Sequence, residues 1–302
     1  MYIISVVFLS MLVILLVTSL YLSGAVVHPK THSPDETYRY ELENGRIKEE
    51  EFSSLEKEEV YIESPYGYKI YGLFFPVKDS KKAVIICHGI TWTLYGCVKY
   101  AGMFLKRGFN VLIYDHRYHG RTGGKNTTFG FYEKNDLKTV VDWLYNRLGE
   151  DCKIGTMGES LGAATVLQHS AIDPRLSFCI ADCPYSDILK LFKIRMKNDF
   201  HFPAFPVLQL AVFFARLRTG ARFSDISPVR DIEKCTCPVF FIHGENDMYI
   251  PKEMSIEMYN RKKGYKKLYI APNSEHVESY WNNREEYDKL VGDFLMEIGL
   301  LT

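Results

Sequence analysis

From Val60 to the end of the chain, short apolar runs alternate with stretches of helical periodicity. VYIES (60–64) and YKIYGLFFPV (68–77) flank a Pro/Gly turn and predict two strands that open the globular domain. AVIIC (83–87), NVLIYD (110–115), KIGTMG (153–158), LSFCIAD (176–182), PVFFIHG (238–244) and KLYIAP (267–272) follow. These runs lack polar alternation, which suits strands buried on both faces of a mostly parallel sheet. Helices are predicted near 97–107, 133–148, 160–170, 252–262 and 283–299. The second shows its face plainly: Leu137, Val140, Val141, Leu144 and Leu148 recur at helical spacing, and Gly149 stands where a terminating glycine belongs. The order is that of an α/β protein.

Two stretches fall outside this alternation. Between Asp182 and Pro238 lies an interval too long for a crossover, containing the apolar HFPAFPVLQLAVFFARLRTG (201–220). It reads as a helical cap over a substrate pocket, or as an extra helix completing the core; a third use is to dip into a membrane surface. The other stretch is the N-terminus. Residues 2–22 carry no charge and would span about 30 Å as a helix, the thickness of a bilayer's hydrocarbon. An uncleaved anchor is expected over 1–25, because the run exceeds a signal peptide's apolar region and no basic residue precedes it. The rival is a cleaved signal, since SGA (23–25) has the form of a cleavage site. Lys30 and Arg39 follow the span and favour a cytoplasmic catalytic domain on a single-pass cell-membrane protein.

Charge dominates residues 41–60, so 26–57 reads as a solvated juxtamembrane linker or short helix, ahead of a domain over 58–302 with its insertion at about 184–232. Lys+Arg and Asp+Glu both number 37, which removes the electrostatic footprint of a nucleic-acid binder. Seven scattered cysteines do not form a disulfide framework, and unpaired thiols also favour the cytoplasm. NTT (126–128) is an N-glycosylation sequon that matters only in a eukaryotic secretory compartment.

The chemistry starts at GTMGESLGAATVL (155–167). A chain of this length shows G-x-S-x-G by chance about one time in ten, so the motif gains weight only from its setting. Here a buried run ends at Gly158, Ser160 follows, and a helical pattern rich in small residues begins, which is the strand–turn–helix a nucleophile elbow needs. Serine needs a histidine base, and the base needs an acid to fix its tautomer. Asp247, after the strand ending at Gly244, and His276, after the last strand, stand at strand ends in the order Ser, acid, His. Asp182 is the rival acid. Oxyanion donors are expected at the backbone N–H groups of Leu161 and Ile90, the latter in the His-Gly turn of AVIICHGITWT (83–93). His88 reads as a loop-ordering residue. Asp115, His116 and His119 read as a polar loop rather than a metal site, and CTC (235–237) has the wrong spacing for C-x-x-C, so no metal is expected.

HGITWT, DHRYHGRTGG, GFYEKNDLKTVVDWL, GESLGAAT, FFIHGENDMYIP and NSEHVE, in this order, resemble the α/β-hydrolase superfamily. More narrowly, the chain is similar to bacterial membrane-anchored serine hydrolases related to serine aminopeptidase and prolyl-oligopeptidase catalytic domains, over roughly 58–300. The resemblance implies an eight-stranded, mostly parallel sheet flanked by helices, with Ser160, Asp247 and His276 as the triad. It leaves the substrate open among esters, thioesters, peptides and acyl acceptors; a non-catalytic scaffold is a remote alternative. The leading expectation is a cofactor-free esterase acting on small or apolar acyl groups, in a pocket lined by Ile90, Trp92, Leu161 and the 201–220 segment.

Overall fold

In the computed structural model, which describes residues 2–201 and 203–301, eight strands form one sheet. Met1, Phe202 and Thr302, which belong to the expected anchor, insertion and hydrolase domain, lie outside the described residues. The strands are β1 (Glu58–Glu63), β2 (Lys69–Phe75), β3 (Lys82–Cys87), β4 (Asn110–Tyr114), β5 (Lys153–Glu159), β6 (Phe178–Asp182), β7 (Val239–Gly244) and β8 (Lys266–Ala271). Their order is β1-β2-β4-β3-β5-β6-β7-β8. β1 pairs antiparallel with β2 and β2 with β4; every later pairing is parallel.

The helices are α1 (Tyr2–Val27), α2 (Pro34–Glu43), α3 (Glu49–Ser54), α4 (Val98–Leu105), α5 (Glu133–Leu148), α6 (Leu161–Ser170), α7 (Ile188–Phe200), α8 (Val207–Thr219), α9 (Pro228–Asp231), α10 (Glu253–Arg261), α11 (Ser279–Asn282) and α12 (Arg284–Glu297). Both faces of the sheet are covered. On one, Leu137, Val140, Val141 and Leu144 of α5 pack with Ala163, Val166 and Leu167 of α6 against Ile85, Ile154 and Phe241. On the other, Phe104 of α4 and Val291 and Phe294 of α12 pack against Ile86, Met157 and Phe240. Burying each Leu, Val or Phe contributes about 1.5–3 kcal/mol, which is why the uniformly apolar runs become central strands. Gly149 ends α5 at φ 100°, where a side chain would be strained.

Residues 26–57, expected as a solvated linker or short helix, form short helices packed on the domain. α1 continues to Val27, and α2 and α3 fold onto the rim of the domain. Ser33 caps α2 by accepting from the Glu36 N–H, while the Glu36 carboxylate accepts from the Ser33 N–H at 2.7 Å. Ile47 and Phe52 are buried with Tyr38, Leu42 and Leu55 against the β2–α4 side of the sheet. The apolar residues among the charges are spaced to cover one face; the charges, such as Glu49, Glu50 and Glu51, point outward.

The 201–220 segment also differs from its expectation as a lid. Its helix, α8, packs beside the second half of α1, with Leu15 and Leu22 against Val207, Leu208 and Val212. Ser19 donates to the Val207 carbonyl at 3.3 Å, and Arg218 donates to Ser23 Oγ at 3.1 Å. An apolar helix buries its stripe against the nearest apolar partner, and here that partner is the N-terminal helix.

Candidate active site

β5 delivers Ser160 at a sharp turn into α6. Ser160 has φ 55° and ψ −113°, a strained conformation for a residue with a side chain. The two motif glycines make the turn possible: a Cβ on Gly158 would fall 2.3 Å from the Gly162 carbonyl carbon, and one on Gly162 would fall 2.1 Å from the Cys87 carbonyl oxygen. The helix therefore approaches the sheet backbone to backbone. The Ser160 N–H donates to the Asp182 carbonyl at 2.9 Å, which prolongs the β5–β6 ladder and holds the turn.

Ser160 Oγ lies 3.0 Å from His276 Nε2, and His276 Nδ1 lies 2.7 Å from Asp247 Oδ2. The hydroxyl donates to Nε2 and the Nδ1–H donates to the carboxylate. The other carboxylate oxygen accepts from the N–H groups of Tyr249 at 2.9 Å and Ile250 at 2.8 Å, so Asp247 is fixed at both ends. Burial alone would push the Asp247 carboxyl up, but hydrogen bonds from His243, His276 and the Ile250 N–H outweigh it and hold the group well below the usual carboxylate range. Asp247 thus stays ionised where it can orient a histidine and stabilise its charged form.

Asp182, the rival acid, is committed elsewhere. Its Oδ2 accepts from Tyr287 at 3.0 Å and lies 3.4 Å from the Tyr100 hydroxyl. Burial and the nearby Glu159 charge raise it to about 6. The structure brings together Ser160, Asp247 and His276 and leaves Asp182 beneath them.

The His-Gly turn lies against Ser160: a Cβ on Gly89 would stand 3.6 Å from Ser160 Cβ. Ile90 lines the same cavity, and Leu161 opens α6, so its N–H is one of the four that a helix start leaves without an intrahelical partner. His88 donates from Nδ1 to the Gly89 carbonyl at 2.7 Å and accepts the His116 N–H at Nε2 at 2.9 Å. Burial pushes it well below its ordinary value, with His116 and His119 adding to the effect, so it is a neutral brace. His119 accepts the Thr91 N–H at 3.1 Å and donates to the Arg117 carbonyl at 2.8 Å. Asp115 accepts from the N–H groups of Leu94 and Arg121, both at 2.8 Å. Asp115 and His119 thus brace the loop that carries Ile90, Arg117 donates to Asn126, and both ring nitrogens of His116 are buried without a hydrogen-bond partner. Cys183, Asp247 and His276 also place ligand-type atoms within 4.8 Å of one another, but the latter two are already joined by their hydrogen bond.

The cavity over Ser160 measures about 560 Å³. Ile90 and Trp92 line it, whereas Leu161 is buried beneath and α8 takes no part. Its outer wall comes instead from Tyr40, Glu41 and Arg46 of the segment between α1 and β1, with Lys99, Glu159, Tyr249 and Glu278 completing a largely polar rim. Trp92 Nε1–H donates to Glu41 Oε1 at 3.0 Å, and the His32 N–H donates to the Thr91 carbonyl at 2.8 Å, clamping the segment to the Gly89–Trp92 loop. Gly96 admits the indole, since a Cβ there would lie 2.5 Å from it. Burial raises the Glu41 carboxyl against the pull of Lys99 and Arg46. Glu159 is held by Lys99 and by the Tyr100 hydroxyl, the latter at 2.7 Å. Burial would lower Lys99, but Glu159 raises it. These rim residues were missed in the sequence, although the Ser33-x-x-Glu36 capping signature that starts α2 was there to be read.

Comparison with known proteins agrees with this fold. The family described as serine aminopeptidase, S33, matches residues 78–201. The uncharacterised protein YqkD of Bacillus subtilis is 41% identical over 275 residues, covering 90% of each chain. Among solved structures, the Pyrococcus furiosus esterase Pf2001 superposes with a TM-score of 0.68 at 28% identity, covering 84% of this chain and 95% of that one. The Pyrococcus horikoshii acylaminoacyl peptidase matches in fold alone, with a TM-score of 0.61 at 17% identity, over 84% of this chain and 43% of its own. The chain belongs to the α/β-hydrolase superfamily. Its neighbours support an enzyme with hydrolase activity.

Proposed function

We propose that the protein is a membrane-anchored serine hydrolase that cleaves carboxylic esters through an acyl-enzyme. The continuous hydrogen-bonded chain Ser160–His276–Asp247, at 3.0 and 2.7 Å, carries this reading. Ser160 Oγ attacks the ester carbonyl while His276 Nε2 takes its proton; the Leu161 and Ile90 N–H groups receive the oxyanion. Collapse expels the alcohol, which takes the proton back from His276. A water then attacks the acyl-enzyme by the same route, so atoms balance with no cofactor or change in oxidation state. Ile90, Trp92 and Tyr249 offer apolar and aromatic surface for one half of the ester. Glu41, Arg46 and Lys99 offer polar partners for the other.

The anchor reading is supported by the length and composition of α1. It is also supported by packing at the small-residue site, where Ser23 and Val27 are buried in an unbroken helix, a poor substrate for cleavage. All seven cysteines are free, in keeping with a cytoplasmic domain. Asn126 of the sequon is buried and accepts from Arg117 at 3.2 Å.

A peptidase reading draws on one observation, the buried Glu41 carboxylate in the rim, which suits a substrate amine. A panel of p-nitrophenyl esters of graded chain length, an acyl thioester and aminoacyl arylamides separates the readings. The ester reading expects the highest kcat/KM on esters, abolished in Ser160→Ala. Preferential arylamide cleavage would replace it with the peptidase, and no turnover above Ser160→Ala on any member would remove both.

A further inference from the structure

The N-terminal helix is longer than its exposed part. Residues 2–14 of α1 project from the domain with exposed side chains, and from Leu15 onward one face packs on α8. Thirteen residues of helix reach about 20 Å, whereas hydrocarbon is about 30 Å thick. A spanning α1 must draw the missing 10 Å or so from residues 15–21, the stretch packed against Ala204, Val207 and Leu208. The first turns of α8 then lie at hydrocarbon depth beside it.

The side chains agree with that depth. Phe205, Phe213 and Leu217 on and just before α8 are 74%, 54% and 67% exposed, large apolar side chains that water would not favour. At the level where α1 would leave the hydrocarbon stand an exposed Tyr21 and Arg218, the latter donating to the Leu20 carbonyl and Ser23 Oγ. Aromatic and arginine side chains are the residues that sit at a headgroup boundary. At the far end of α7, Arg195 and Asp199 satisfy one another, and Lys197 is long enough to snorkel.

Between α1, α7 and α8 lies a cavity of about 110 Å³ lined by Leu22, Val26, Phe192, Met196, Leu208 and Val212 among others, with only Ser23 and Arg195 polar. Apolar cavities of this order stay dry and accept apolar ligands. Resting on the anchor reading, we propose that this cavity is a binding site for one acyl chain of a bilayer lipid, which enters from the leaflet beside α8. Leu208, in the first turn of α8, puts one end of the cavity at hydrocarbon depth, while Leu22 and Val26 line the end beyond it; an apolar lining that reaches the hydrocarbon selects that occupant over a soluble ligand. The site is separate from the cavity over Ser160. Arg195 joins them: it borders the apolar cavity, and its guanidinium stacks 4.5 Å from the Tyr249 ring, itself 5.0 Å from the His276 ring.

The test places a tryptophan in the cavity of the full chain, Phe192→Trp, in vesicles of phosphatidylcholine whose acyl chains carry bromine. Wild-type protein supplies the background from Trp92, Trp143 and Trp281. The site predicts loss of most of the added emission, and its recovery when Ala211→Phe is introduced to fill the cavity. Leu208→Trp reports on the same cavity should Phe192→Trp fail to fold. Protein that floats with the vesicles yet shows no quenching at either position overturns the lipid site alone, even if Phe213→Trp on the outer face of α8 is quenched. Quenching that Ala211→Phe leaves unchanged also overturns it. Failure to float overturns the anchor and the site together.

Discussion

Replacing Asp247 by Asn tests the geometry at its most constrained point. In the native site one carboxylate oxygen accepts two backbone N–H groups, from Tyr249 and Ile250 at 2.9 and 2.8 Å, and the other accepts the His276 Nδ1–H. Asparagine has one acceptor and one donor end. The two backbone donors hold its oxygen in place, so its NH2 must face His276. That forces the imidazole to carry its proton on Nε2, where it can no longer accept from Ser160. The same tautomer inversion in the serine protease triad that serves as the general template lowers kcat about 10⁴-fold, equivalent to about 5 kcal/mol of transition-state stabilisation. We expect a loss of that order for Asp247→Asn, while the KM for a p-nitrophenyl ester changes little. Asp182→Asn is the internal control: Asp182 bonds to Tyr287 and lies near Tyr100, not His276, so it should retain kcat within about tenfold. Steady-state kinetics at neutral pH, with thermal unfolding to confirm folding, decides the matter. A folded Asp247→Asn with wild-type kcat, or a larger loss in Asp182→Asn, would refute the reasoning.

Gly162→Ala sets two effects against each other: helix propensity favours alanine by about 0.5–1 kcal/mol, but its Cβ would lie 2.1 Å from the Cys87 carbonyl oxygen. The clash should win, destabilising by about 1–3 kcal/mol in denaturant unfolding, and a stabilised variant would contradict the packing of α6 on β3. Glu41→Ala leaves the Trp92 N–H without its acceptor, so KM should rise by a factor of about 5–100, whereas Glu41→Gln keeps the bond and should stay near wild type. Identical KM in all three proteins would remove the segment between α1 and β1 from the pocket. The sign for Asp182 follows from its folded value of about 6 against an ordinary value of 3.8: the native state holds that proton more tightly, so its stabilising effect is complete below the unfolded value and is lost as pH rises through 6. Asp182→Asn should therefore flatten the stability profile between about pH 4 and 6, and an unchanged slope in unfolding titrations would refute the assignment.

The sheet was legible because strands buried on both faces leave uniform apolar runs, and the helix around Leu137–Leu148 because its face repeats without interruption. Ser160 stood out through its glycines, whose spacing is dictated by the backbone contact between Gly158 and Gly162. Asp247 and His276 were readable because each follows a strand end. The rim was not. Glu41 meets Trp92 across 51 positions and Lys99 meets Glu159 across 60, and no local pattern encodes such a pairing. Charge density hid the apolar face made by Tyr38, Leu42 and Phe52. The apolar 201–220 segment was ambiguous for another reason: composition says that it must be covered, not by what. Ser19, Ser23 and Gly24 on α1, which meet Val207 and Arg218, resolve that choice only in three dimensions.

The central claim is that Ser160 is an activated nucleophile, and its most direct measurement is intact-protein mass after exposure to a fluorophosphonate, followed by peptide mapping. The account predicts one adduct, on the peptide containing Ser160, formed rapidly by the wild type, slowly by Asp247→Asn and not at all by Ser160→Ala. An adduct on another residue, or a folded wild-type protein that stays unlabelled, would contradict it.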